Sequence, residues 1–227
     1  PCARLSGTTG QTRSFGIVEG ETMLLIPEIS TVVILPPRTG SSSLRKAVLS
    51  QYPMAMQIYR HMEADGIPLG YDTWRRVGVI RNPIDRLWSL YKFLQDFGGE
   101  QHDFAFVRTM RESVNCSFST WLLRNEVTFT SPYDRAGLGR FWPAYSVRHP
   151  MPENRKSQAV YIRPDLGTEY WDYSTIDELA ETLGVNLELR ENQTNTDWKP
   201  AISQEAMEYL QRVHSWDFNF TSPSLVN

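Results

Sequence analysis

Twice in its first hundred residues this chain uses the same device. A short, wholly apolar strand runs through an arginine-bearing turn into an amphipathic helix. The first copy is "TVVILPPRTGSSSLRKAV" (31–48) and the second is "RVGVIRNPIDRLWSLYKF" (76–93). Strands that are apolar throughout are buried on both faces, and when they alternate with helices they belong to a mainly parallel sheet covered by those helices. The spacing predicts strands over Thr22–Ile26, Thr31–Pro36, Arg76–Ile80, Ala159–Pro164 and Val185–Arg190. It predicts helices over Ser41–Tyr52, Pro83–Phe97, Phe104–Glu112, Thr175–Leu183 and Gln204–Val213. Ligands of such sheets bind at the carboxyl ends of the strands, and Arg38 and Arg81 each fall just beyond one.

With 227 residues, 41% of them hydrophobic, the chain can form one domain with a substantial core. Residues 1–20 read as an irregular arm. Residues 113–158, with Trp121, Tyr133, Phe141, Trp142 and Tyr145, read as an insertion over the ligand-binding edge on the acceptor side. No apolar run reaches the roughly 18 residues of a membrane span, and no leader-like segment opens the chain. The expectation is a cytoplasmic protein, or one of the Golgi lumen if an anchor precedes Pro1. Two cysteines, Cys2 and Cys116, do not make a disulfide framework or a cysteine zinc site. A net charge of −3 disfavours nucleic acid as a partner. Basic residues still gather locally, at Arg38, Arg45 and Lys46 and at Arg75, Arg76, Arg81 and Arg86. That pattern suits a small anionic ligand.

The first turn fails the nucleotide P-loop pattern on two counts. Leu35 stands where the earlier glycine is needed, and Ser41 stands where Lys follows the second. What remains is P-loop-like physics: helix-start N–H groups, a flexible glycine, hydroxyls and a cation. The expected fold is thus α/β, a P-loop-like three-layer arrangement with a central, mainly parallel sheet flanked by helices. The competing reading of "PPRTGSSSL" is a serine-capped helix after an ordinary turn. In the second turn, Asn82 is the expected helix cap and Pro83 fits the first helical turn. Ile84, Leu87, Trp88, Tyr91 and Leu94 form one apolar stripe, expected to face the sheet. Arg81 stands beside the positive end of this helix, a place that favours a cation only with an anion present. Arg86 is expected in surface ion pairs, the usual fate of helical charges.

Together, "PPRTGSSSL" and "VIRNPIDRLWSLY" resemble the paired signatures of sulfotransferases that use 3′-phosphoadenosine 5′-phosphosulfate, with the carbohydrate branch the nearest likeness. The family loop reads Pro-[Lys/Arg]-x-Gly-[Ser/Thr]-[Ser/Thr], and its second segment reads Arg-[Asp/Asn]-Pro-x-x-Arg-x-x-Ser. The resemblance implies that Arg38, Thr39, Gly40, Ser41, Ser42 and Ser43 hold the 5′ end, while Arg81 and Ser89 bind the 3′-phosphate. Arg38 stands where many members have Lys, which keeps the charge and adds a planar donor fork. The stretch "ENQTNTDWKPAIS" resembles a loop that closes over the nucleotide in relatives, with Thr196 and Lys199 at the family's spacing. The resemblance covers 30–95 well and 160–220 loosely. It implies sulfuryl transfer to a hydroxyl of a carbohydrate or another small acceptor, with no metal required and adenosine 3′,5′-bisphosphate as product.

The acceptor hydroxyl needs a general base. Of the four histidines, His61 in "IYRHMEADG" lies between the two anion motifs, where the carbohydrate branch carries its base. Glu63 or Asp65 are alternatives, His149 is a weaker candidate, and His214 reads as structural. Two rival functions stand beside this one. A small-molecule kinase would depend on Mg²⁺ and ATP, whereas a non-catalytic nucleotide-binding module would bind the bisphosphate without turnover.

Overall fold

The computed structural model describes residues 22–60, 62–96, 104–125, 149, 151–187 and 201–221. The strands are β1 (Thr22–Ile26), β2 (Thr31–Ile34), β3 (Met56–Arg60), β4 (Arg75–Ile80) and β5 (Glu169–Asp172). The helices are α1 (Ser41–Gln51), α2 (Pro83–Gln95), α3 (Phe104–Ser113), α4 (Phe118–Arg124), α5 (Gln158–Ile162), α6 (Ile176–Thr182), α7 (Gln204–Val213) and α8 (Ser215–Thr221). One five-stranded sheet has the order β3-β1-β2-β4-β5. β1 is antiparallel to both its neighbours, while β2–β4 and β4–β5 are parallel. Four strands therefore run one way and only β1 runs back. The fold is α/β with a mixed sheet flanked by helices.

Both faces of the central strands are buried, which is why their sequences do not alternate. Leu24, Ile26, Val33, Val77 and Val79 pack against Leu44 and Val48 of α1 and Leu179 of α6. Met23, Leu25, Val32 and Ile34 on the opposite face pack against Met62 and Ala64. Each such aliphatic side chain contributes about 1.5–3 kcal/mol through burial. On that second face α5 approaches β4 very closely at Gly78. A Cβ built there would lie 2.1 Å from Ile162 Cγ2, so only glycine lets this helix seat.

Four sequence expectations are corrected. Residues 159–162, read as strand, lie in helix α5, capped by Ser157 and burying Gln158, Tyr161 and Ile162. That burial follows i, i+3, i+4 spacing, which the apolar run "AVYI" hid. Residues 185–187 are not in a strand, and 188–190 lie outside the described residues. The stripe on α2 does not face the sheet. Leu87, Trp88, Tyr91 and Leu94 pack instead against Met110 of α3, Phe118 and Trp121 of α4, and Leu210 of α7, in a second, helical core. Phe118–Arg124, within the stretch read as an irregular insertion, is thus a core helix. The arm 1–20 and Tyr133, Phe141, Trp142 and Tyr145 lie outside the described residues. Among the described residues no helix is long and apolar enough to cross a membrane.

Candidate anion site at two strand ends

β2 and β4 are parallel neighbours, so the turns that leave their carboxyl ends lie side by side. In the first turn Arg38 has φ 68° and Gly40 φ 78°, both in the left-handed region. Such a conformation costs a non-glycine residue about 1–2 kcal/mol, and strain of this kind concentrates at functional sites. Thr39 is fully buried, and its hydroxyl donates to the Pro36 carbonyl at 2.8 Å. The serine cap of the competing reading does not form. Gly40 precedes α1, no side chain caps the helix, and its first turn carries no acidic residue. The positive end of α1 is therefore left for another acceptor. Ser41 is fully buried with an Oγ that has no hydrogen-bond partner, while Ser42 and Ser43 are half-buried. Gly40 also lies against Tyr173 and the start of α6, since a Cβ there would meet Tyr173 Cε2 at 2.5 Å and Ile176 Cδ1 at 2.9 Å.

The second turn forms as its sequence predicts. Asn82 Oδ1 accepts from the N–H groups of Ile84 at 3.0 Å and Asp85 at 3.3 Å, and Pro83 opens α2. Arg81 Nη1 donates to the Arg38 carbonyl at 3.2 Å. Its guanidinium also lies 4.8 Å over the Tyr173 ring. Burial lowers the Arg81 pKa, and the like charge of Arg38 acts in the same direction. Arg38 Nε donates to Ser89 Oγ at 3.1 Å, and its guanidinium lies 4.9 Å over the Phe93 ring. Ser89 itself is buried. Arg38, Arg81 and Ser89, predicted from separate motifs, thus form one connected cluster. The charges of Arg38 and Arg81 oppose each other, and an anion beside them would offset that repulsion.

Tyr173 and Phe93 escaped sequence reading. Phe93 follows Ser89 by four residues and so shares its helix face, a signal that was available. Tyr173 follows β5, a strand with no apolar run to announce it.

Arg86 is a correction. Far from the surface, it is fully buried, donating to Glu153 Oε2 at 2.9 Å and to the Lys156 carbonyl at 3.0 Å. Burial works against charge on Glu153, yet Arg86 and Lys156 hold its carboxyl below the usual range. Tyr161 donates its hydroxyl to the same carboxylate. Burial and Glu153 together push that phenol well up. The basic clusters of the sequence also separate in space. Arg75 pairs with Glu169 at the opposite end of β4 from Arg81, and Arg76 binds the carbonyls of Leu166 and Asp72. Arg45 turns toward Gln57.

Among the base candidates, Glu63 is fully buried in an ion pair with Lys156 at 2.5 Å. A carboxylate enclosed this way is poorly placed to take a proton from a diffusing acceptor. Asp65 pairs with Arg163 at 2.7 Å and with His149 Nε2 at 2.9 Å. His214 is structural, as its sequence position suggested: it is fully buried between Asp217 and the Asn154 carbonyl. His61, His102, Thr196 and Lys199 lie outside the described residues. β3, which ends at Arg60, runs in the same direction as β2 and β4 and so ends at the same sheet edge as Arg38 and Arg81. Comparison of the chain with models of known families, with curated proteins and with solved structures finds no match.

Proposed function

We propose that this protein is a sulfotransferase with a P-loop-like site, moving a sulfuryl group from 3′-phosphoadenosine 5′-phosphosulfate to an acceptor hydroxyl, on a carbohydrate or another small molecule. One observation carries the reading. Arg81 donates to the Arg38 carbonyl at the adjacent strand end, and Arg38 donates in turn to Ser89. Arg38 and the N–H groups opening α1, with Ser41, Ser42 and Ser43, hold the 5′ end. Arg81 and Ser89 hold the 3′-phosphate, and Thr196 and Lys199 complete the nucleotide site. Sulfuryl transfer resembles phosphoryl transfer in being mostly positioning and charge stabilisation. The S–O bond to the leaving phosphate breaks as the acceptor oxygen attacks in line. Arg38 stabilises the charge that grows on the phosphate. The base His61 takes the acceptor proton.

Two tests address this reading. In a thermal-shift titration, adenosine 3′,5′-bisphosphate at ~100 times its dissociation constant stabilises the protein by about 2.7 kcal/mol, without need of Mg²⁺. Arg81→Ala weakens that ligand about 10–100-fold, the worth of a charge-assisted contact. Stabilisation by ATP with Mg²⁺ in place of the bisphosphate would instead make the protein a kinase. In the second test, His61→Ala binds the bisphosphate as wild type does and transfers no sulfate. Turnover at the wild-type rate would remove His61 from the mechanism, and bisphosphate binding with no turnover in the wild type would mark a binding module.

A further inference from the structure

At Arg81 the sheet has run out of partners. The last pairings of β4 are Gly78 with Ile34 on one side and Ile80 with Asp172 on the other. The next peptide nevertheless has both its polar groups satisfied. The Arg81 N–H donates to Gln158 Oε1 at 2.8 Å, and Gln158 Nε2 donates back to the Arg81 carbonyl at 2.7 Å. The glutamine amide thus takes the place of one more strand residue. Gln158 is fully buried, and its own N–H donates to both carboxylate oxygens of Asp217, at 2.9 and 3.1 Å. Ser157 Oγ donates to the same carboxylate at 2.7 Å. Asp217 is held in turn by His214 Nδ1 at 3.0 Å, and the other ring nitrogen of His214 lies 2.9 Å from the Asn154 carbonyl. A carbonyl only accepts, so His214 Nε2 carries a proton. The strut therefore runs from α7 and α8 through Asp217 and Gln158 to the backbone of Arg81.

We infer that Gln158, braced by Asp217 and His214, is a positioning residue that fixes where the Arg81 guanidinium enters the site and so sets discrimination for the 3′-phosphate. The inference rests on the phosphosulfate reading of that site. The mechanism is geometric. A guanidinium stands several bonds from its own peptide, so a small rotation of that peptide displaces it by about 1 Å or more, enough to lose a productive contact. A glutamine that merely satisfied a buried peptide would affect every ligand alike.

The experiment measures the affinity of adenosine 3′,5′-bisphosphate against that of adenosine 5′-phosphate, by calorimetry, in wild type and in Gln158→Met. Methionine keeps the volume and removes both hydrogen bonds. In wild type the bisphosphate binds at least about tenfold more tightly, and in Gln158→Met that ratio falls toward one while the 5′-phosphate affinity holds within about twofold. If the variant keeps the wild-type ratio, whether or not both affinities fall together, Gln158 is structural only and the inference is overturned. A wild type that does not prefer the bisphosphate overturns the functional reading, and this inference with it. Should Gln158→Met not fold, Gln158→Glu is measured against the same criterion. It is isosteric and keeps the acceptor for the Arg81 N–H.

Discussion

Arg86→Met is expected to destabilise the protein by about 3–5 kcal/mol, because it strands a buried carboxylate rather than because it loses an attractive pair. Glu153 keeps the Tyr161 hydroxyl, and Lys156 stays near, so the lower part of that range applies. For a domain of this size each kcal/mol moves the melting midpoint by roughly 2–4 °C, so a fall of about 6–12 °C follows. The double variant Arg86→Met/Glu153→Leu removes the stranded charge and recovers most of the loss. If single and double variants melted together, the desolvation account would be wrong.

The pH dependence gives an independent sign. In the wild type the Glu153 carboxyl is held down by Arg86 and Lys156. Its stabilising contribution is therefore present above the ordinary carboxylate value of about 4.3 and is lost as pH falls through the lower folded value. In Arg86→Met, burial without that partner raises the Glu153 pKa, so acidification relieves the variant. The gap between the two proteins, measured by denaturant unfolding, narrows from pH 7 toward pH 4. A gap that widened would place the cost elsewhere.

Sequence reading succeeded where local pattern and tertiary role coincide. β1 (Thr22–Ile26), α1 and α7 were legible because a continuous apolar run or a helical spacing met a clear stop signal. Asn82–Pro83 was legible for the same reason, since a cap and a fixed φ act within a few residues. β3 and β5, "MQIYR" and "EYWD", were missed because they are the two edge strands. An edge strand needs apolar residues on fewer sides, so polar ones interrupt the run. α5 was misread because five residues cannot show a period, and its buried polar position, Gln158, was invisible as core.

Arg86 teaches the same point about charge. Its burial depends on Glu153 and Lys156, some seventy residues away, and no local spacing encodes such a partnership. In the candidate site, what was legible is the side-by-side placing of the two turns. Arg38 and Arg81 lie within a few residues of strand ends, and parallel neighbours bring those ends together without further instruction, while Ser89 follows on the helix that Asn82 caps. The ring platforms Tyr173 and Phe93, and the strut through Gln158, depend on long-range packing and were not legible as such.

Arg38 is where strain, charge and position meet, and its substitution has a large expected effect on activity. If Arg38 stabilises the leaving phosphate, Arg38→Ala lowers kcat by about 10²–10³-fold, as loss of a preorganised donor at developing charge does elsewhere. Arg38→Lys keeps the charge but not the fork that reaches Ser89, and so falls between. Stability should move the other way. At φ 68° the backbone is strained for arginine and alanine alike, whereas glycine adopts it freely. Arg38→Gly is therefore expected to unfold at a higher temperature than Arg38→Ala while transferring sulfate no faster. A strained arginine that lowers stability and raises turnover is what a site selected for function at a cost in stability would hold. Turnover by Arg38→Ala within about threefold of wild type would refute the role at the leaving group. Arg38→Gly no more stable than Arg38→Ala would show instead that the turn relaxes once the guanidinium is gone, so that the contacts with Ser89 and Phe93 impose the left-handed backbone.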